Sequence, residues 1–485
     1  MNHRFPFSLR FLAWPIACCL LGFHCRCGKN SDSSGGNPNT GHNGPQATVW
    51  MTTGDGANLL ALQAAKPEFG TEANSYINIE IDSSNAMQGI DGFGYTLTGG
   101  SAYLINQMGT GERSNLLNEL FGQGDNAIGV SYLRVSIGAS DLDPVVFSYD
   151  DLPAGQTDTA LTHFSLSRDT VNLIPVLKQV LSINPSIKIL GSPWSPPVWM
   201  KDNGQSMGGG LLPQYYAAYA KYFVKYIQAM KAQGITVDAI TIQNEPQHGG
   251  NNPSMVMNAN EQAAFIRDHL GPAFAAAGVN TKIIIWDHNC DNPNYPITVL
   301  NDAGARAYVN GSAFHLYNGD ISALTTVHDA YPDKQLYFTE QWTGANGSFS
   351  GDLRWHVRNV VIGSVRNWSR IALEWNLASD PNYNPHTPGG CTECKGAVTI
   401  NGSNVTRNVG YYIIAHASKF VPPGSRRIGS NNAGNLINAA FVTPDGKKVV
   451  VAVNDGNSTM SFNIKQNGKW FAASLAAGAV ATYTW

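Results

Sequence analysis

Tyr215-Tyr-Ala-Ala-Tyr-Ala-Lys-Tyr-Phe-Val-Lys-Tyr-Ile-Gln-Ala-Met-Lys-Ala232 is followed, after Gln233-Gly-Ile-Thr, by Val237-Asp-Ala-Ile-Thr-Ile242 and Gln243-Asn-Glu-Pro246. In the first part Tyr216, Ala220, Phe223, Ile227 and Met230 recur at helical spacing and share one face. Gly234 is the stop signal of that helix. The second part is a short apolar run, read as a buried strand, and it ends on the carboxylate Glu245. The same alternation extends upstream: residues 174–183 have helical spacing, Asn184-Pro185 breaks it, and Ile187-Lys-Ile-Leu190 is a strand running into Gly191-Ser-Pro-Trp-Ser-Pro-Pro197. Downstream, residues 261–278 predict a helix and Lys282-Ile-Ile-Ile-Trp286 a strand. Residues 132–137, 312–315, 335–338 and 370–373 are further strand candidates. Alternation sustained over about 300 residues predicts a parallel sheet. No Gly-rich phosphate loop follows the first strand, which argues against a dinucleotide fold. A (β/α)8 TIM barrel is the simplest closure.

After Pro422-Pro-Gly424 the period changes. Residues 435–443 alternate, Pro444-Asp-Gly446 is a turn, and 448–453, 458–464 and 479–485 continue as strands with no helix between them. This predicts a side β-sandwich over 421–485, with the strands and turns of 48–88 joining it and 89–420 left for the barrel. At the other end, Arg4 and Arg10 precede an uncharged apolar run over 11–23, too short to span a bilayer and placed as in a signal peptide. Residues 1–27 are therefore expected to be a leader. Cys18, Cys19, Cys25 and Cys27 within it, before the polar tether 28–47, suggest the lipoprotein type. The expectation is an exported protein, secreted or tethered to a bacterial envelope, with membrane contact only through a lipid anchor.

Composition narrows the function classes. With 31 Lys+Arg against 34 Asp+Glu, the net charge of −3 gives no excess of cations for nucleic acid or an anionic membrane surface. A hydrophobic content of 43% and an aromatic content of 10% describe a well-cored protein, expected to act as a monomer. Beyond the leader three cysteines remain. Cys391 and Cys394 form a Cys-x-x-Cys in a Gly/Pro-rich loop, with no second pair at zinc-ribbon spacing, so a local disulfide is the better reading. Cys290 is then a buried, unpaired thiol.

Barrel chemistry sits at the C-terminal ends of strands. Glu245 in Ile242-Gln-Asn-Glu and Glu340 in Tyr337-Phe-Thr-Glu both fall there. One such Glu is as readily a salt-bridge partner or a helix cap. Two, ringed by the strand-end residues Trp194, Trp375, His315 and Tyr317, point to a paired-carboxylate mechanism on a sugar, whose faces are apolar and whose edges carry hydroxyls. Many of the 11 Trp are simply core. No His-x-His or His-Glu-x-x-His cluster is present, so neither metal nor cofactor is expected in catalysis.

Gly92-Phe-Gly-Tyr-Thr-Leu-Thr-Gly-Gly-Ser-Ala102, Leu133-Arg-Val-Ser-Ile-Gly-Ala-Ser-Asp141, Gly191-Ser-Pro-Trp-Ser-Pro-Pro-Val-Trp-Met-Lys201 and Thr241-Ile-Gln-Asn-Glu-Pro246 resemble the motifs of glycoside hydrolase family 30. So do Phe314-His-Leu-Tyr317, Phe338-Thr-Glu340, Glu374-Trp-Asn-Leu-Ala378 and His416-Ala-Ser-Lys-Phe-Val-Pro-Pro-Gly424. The family holds glucosylceramidases and endo-β-1,6-glucanases. The resemblance implies the same barrel with a sandwich built from both chain ends. It also implies retaining hydrolysis, with Glu245 as acid/base, Glu340 as nucleophile, and a proton held on Glu245 by the charge of Glu340. Asn244 would then bind the sugar 2-hydroxyl, and Arg134 and Tyr317 would orient Glu340. Asp141, Trp194 and Trp375 would line the glycone subsite, with His315 also at the substrate. The bland alternative for Arg134 is a barrel-interior ion pair.

Three positions depart from the family pattern: Leu316 stands where Trp is frequent, Glu374 where Asp is, and Gly99 where an acid is. The insertion 380–400, with its Cys pair, looks like the β-1,6-glucanase branch, so β-1,6-glucan is the favoured substrate and glucosylceramide the alternative. A non-catalytic carbohydrate-binding surface protein is the reading from another class; it has no need of a carboxylate after both strands.

Overall fold

The computed structural model describes residues 44–485. The expected leader 1–27 and the tether as far as residue 43 lie outside the described residues. Eight parallel strands close into a barrel in chain order: Gly92–Thr96, Tyr132–Ser136, Lys188–Ser192, Ala239–Thr241, Lys282–Cys290, Val309–Gly319, Gln335–Glu340 and Ser369–Asn376, the eighth pairing with the first. Below they are barrel strands one to eight. Tyr132, Leu190, Ala239, Ile284, Ala313, Tyr337, Ile371 and Leu373 form one buried cluster. Several share strand parity with Arg134, Ser192, Thr241 and His315, whose side chains converge at the C-terminal end, so this cluster fills the barrel beneath the site.

The helix read from residues 215–232 spans Tyr216–Ala232, entered through a 3-10 turn at Pro213–Tyr215. Its buried face includes Tyr216, Ala220, Phe223, Ile227 and Met230, the periodic set, and Gly234 takes φ +82°, where glycine has no steric penalty. Residues 261–278 are less regular than one helix. They divide into Ala259–Phe265, a π-helical turn Ile266–Leu270, and Gly271–Ala277. Pro272 has no N–H to close an α-helical bond there, so the wider turn costs little.

Nine further strands, from segments before and after the barrel, form one sheet, and short strands between residues 343 and 407 pair in two small sheets. Thr48–Thr52 pairs antiparallel with Val480–Thr484, and Ile77–Gly89 lies between Arg426–Ser430 and Met460–Gln466. The helix Val409–Ser418 joins this sheet to the barrel. Its buried His416 hydrogen-bonds Thr482 at 2.9 Å and Thr52 at 2.8 Å, one partner from each end of the chain. Among the described residues no helix is long and apolar enough to cross a membrane.

Candidate active site

The C-terminal mouth of the barrel holds a cavity of about 290 Å³ lined by Glu245, Glu340, Asp141, Trp194, Trp375 and Tyr317, with His248, Asn251, His288, Asn289, Trp342, Cys391 and Cys394 completing the wall. Glu340 is the last residue of barrel strand seven. Glu245 follows barrel strand four by four residues and has φ +47°, a left-handed conformation rare for a side chain of this size. Its N–H donates to the Asp287 carbonyl at 3.0 Å, which holds the turn. One ligand-type atom each of Glu245, His315 and Glu340 lie within 4.8 Å of one another. Both carboxylates are buried, at 8% and 5% exposure.

Arg134, fully buried, donates through Nη1 to Glu340 Oε2, and through Nη2 to Asn244 Oδ1 at 2.7 Å and Asp287 Oδ2 at 2.8 Å. The Tyr317 hydroxyl donates to Glu340 Oε1 at 2.9 Å. Two donors thus fix the Glu340 carboxylate from opposite sides. The Arg134 guanidinium also lies 4.8 Å from the Trp194 ring centroid and 5.7 Å from that of Trp375. Those two rings stack at 5.3 Å and make an aromatic wall. Asp141 Oδ2 accepts from the Cys391 N–H at 3.2 Å, and a disulfide joins Cys391 to Cys394. Burial pushes Asp141 up to about 7, and the charge of Glu340 adds to the effect. Cys290 is free and buried.

The structure brings together every residue singled out in the sequence and adds one that the motifs did not mark. Asp287 is fully buried and accepts from Arg134, Ser192 (2.6 Å) and Thr241 (2.7 Å) on one oxygen, and from Thr339 (2.7 Å) and His315 Nε2 (3.2 Å) on the other. It sits where barrel strand five bulges, with Trp286 at φ +73° and Asp287 at φ +65°. Such a bulge re-aims a side chain. The sequence signal was there in Ile285-Trp-Asp-His288, a carboxylate at the end of an apolar strand like the other two.

His315 sits at the centre of the charges. Its Nδ1 faces Glu245 Oε1 at 3.2 Å and its Nε2 faces Asp287. Burial lowers its affinity for a proton, but the Glu340 charge and the hydrogen bonds to Asp287 and Glu245 outweigh burial and raise it to about 9. Burial raises Glu245 too, yet the hydrogen bond and charge of His315 more than offset that and leave it below the usual range. Glu340 lies above its usual range, raised by burial and by Glu245 against the pull of His315 and Arg134. The charge and hydrogen bond of His315 thus favour the ionised form of Glu245, while burial and the Glu245 charge favour the proton-bearing form of Glu340. The group titrates as one unit.

Two of the sequence departures have local explanations. A Cβ at Gly99 would collide with Asp143 Oδ1, so a buried acid from the next loop takes that space; Asp143 in turn accepts from the Ser140 N–H at 2.7 Å. Glu374 points away from the cavity to His356, at 2.7 Å.

The glycosyl hydrolase family 30 TIM-barrel domain matches residues 90–421, and the beta sandwich domain of that family matches 424–483. The chain is 37% identical to the endo-1,6-beta-D-glucanase neg1 of Aspergillus fumigatus, over 83% of this chain and 86% of that protein. It is 27% identical to the lysosomal acid glucosylceramidase of Mus musculus, over 84% and 83% of the two chains. The solved structure of the endo-beta1,6-glucanase BT3312 superposes with a TM-score of 0.84 at 34% identity, covering 91% of this chain and 99% of that one. With both domains matched in order and a strand-end carboxylate pair in the barrel mouth, the chain belongs to glycosyl hydrolase family 30 and is a glycosidase.

Proposed function

We propose that the protein hydrolyses β-1,6-glucan with net retention by double displacement. The observation that carries this reading is the short reach between the carboxylates: an oxygen of each lies within 4.8 Å of the other, nearer the about 5–5.5 Å of a retaining pair than the wider gap of an inverting one. Glu340, held by Arg134 and Tyr317, attacks the anomeric carbon. The glycosidic C–O bond breaks, and the leaving oxygen takes a proton from Glu245, which His315 can resupply at 3.2 Å. Water then attacks the glycosyl–Glu340 ester, Glu245 takes its proton, and Glu340 departs. Asn244 would receive the 2-hydroxyl, while Asp141, Trp194 and Trp375 hold the glycone.

The substrate follows from the glucanase relatives and from the Cys391–Cys394 loop that closes one side of the cavity. In this reading 89–420 is the catalytic barrel, 48–88 and 421–485 form its side module, and 1–27 is an export leader of lipoprotein type on a monomeric enzyme. The purified protein is to be assayed on pustulan and on glucosylceramide. Soluble gluco-oligosaccharides from pustulan are the expected result; glucose released from the lipid alone overturns the substrate.

A further inference from the structure

Away from the cavity, the loop between barrel strand two and the helix Leu173–Ile183 gathers three ligand-type side chains. Asp150 is 1% exposed, and neither of its carboxylate oxygens has a hydrogen-bond partner. Leaving a buried carboxylate unpaired is costly. Asp158 and His163 face it, with one ligand atom from each of the three residues within 4.8 Å of the others. Asp158 is fixed in place: its Oδ2 accepts from Thr162 Oγ1 and the His163 N–H, both at 2.8 Å, and lies 2.9 Å from His163 Nδ1. The His163 ring is 68% exposed, so the cluster opens to solvent on that side.

We infer that Asp150, Asp158 and His163 form a structural site for a divalent cation of the zinc class. One imidazole and two carboxylates are a donor set Zn²⁺ accepts, with water as the fourth ligand on the open side. Bonds of about 2.1 Å in a tetrahedron put donors ~3.4 Å apart, within the spread of these atoms. The ion would neutralise the buried Asp150 and staple a loop that also carries Asp141. Its flanks are already rigid, because Tyr149 stacks on Tyr226 at 5.7 Å and the Trp199 indole donates to the Asp150 carbonyl at 3.0 Å. The competing occupant is a proton. Burial pushes Asp150 up to about 6, and the charge of Asp158 adds to this.

The two are separated by titrating chelator-stripped, untagged protein with ZnCl₂ at pH 7.5, following heat and melting temperature. Glu340→Gln serves as the parent, so that the other His and Glu cluster lacks one carboxylate. One Zn²⁺ per chain is expected, with a rise in melting temperature that saturates at one equivalent. Asp150→Asn and His163→Ala, each added to the parent, should weaken binding at least about tenfold. The site is refuted if the parent takes up no Zn²⁺; a higher metal-free melting temperature for Asp150→Asn then identifies a proton as the occupant. It is equally refuted if Zn²⁺ binding is indifferent to His163→Ala. No arm reads hydrolysis, so failure here leaves the glycosidase reading untouched.

Discussion

Arg134 and Asp287 hold the floor of the site, each fully buried and each the main counter-charge of the other. Asp287→Ala leaves Glu340 as the one carboxylate on the guanidinium and removes the acceptor that Ser192, Thr241 and Thr339 share. Breaking a buried pair from one side costs about 3–5 kcal/mol, and urea unfolding of the variant should show a loss of that size. His315 sets a pH dependence with the opposite sign to a paired carboxylate. Its folded affinity for a proton is raised to about 9 from 6.5, so its contribution is complete below pH 6.5 and is lost as pH rises through 9. Wild-type stability should decline across that window, and His315→Gln should flatten the decline. The two glutamates are told apart by rescue. Glu340→Ala should lose on the order of 10⁴-fold in kcat on every substrate, with azide giving an α-glycosyl azide from the vacated face. Glu245→Ala should hydrolyse aryl glucosides far better than glucan, because an aryl oxide leaves without protonation, and azide should give the β-azide. Reversed anomers would swap the labels.

At the scale of elements, the loop 380–400 holds Asp141 through two backbone donors, the Thr387 N–H on its carbonyl at 2.8 Å and the Cys391 N–H on its carboxylate. The Cys391 N–H reaches Asp141, and the disulfide to Cys394 keeps that N–H in place beside the Trp194–Trp375 wall. The bridge closes a very short loop, so chain entropy assigns it only about 2 kcal/mol of stability. Cys391→Ser with Cys394→Ser should therefore raise KM for glucan several-fold with little change in kcat or melting temperature, as read by steady-state kinetics and calorimetry. How much of each element the sequence disclosed depended on which residue dominated it. The helix Tyr216–Ala232 was legible because its apolar stripe is uninterrupted and a glycine ends it. The helix expected over 261–278 was over-simplified, since Pro272 and the π turn leave the periodicity intact while changing the backbone. Barrel strand five ran past its expected end at Trp286 to Cys290, because two left-handed residues let a bulged strand continue. Asp287 was missed although its carboxylate ends an apolar strand as Glu245 and Glu340 do, because its aim into the barrel depends on that bulge.

For the whole molecule, barrel and sandwich were legible as a change of period near residue 422, and both carboxylates as charges at the ends of apolar strands. What the sequence could not show was the charge network around the pair, because Arg134, Asp287 and His315 come from three separate strands and meet only in the closed barrel. His416 likewise binds Thr52 and Thr482, residues far apart in the chain that meet only once the sheet has formed. Retention by the Glu245–Glu340 pair is read from proton NMR of the reducing ends released from β-1,6-glucan in the first minutes of hydrolysis, before mutarotation. The β anomer should appear first, with α growing only as the sugar equilibrates; an initial excess of α means inversion and contradicts the assignment of Glu340 as nucleophile.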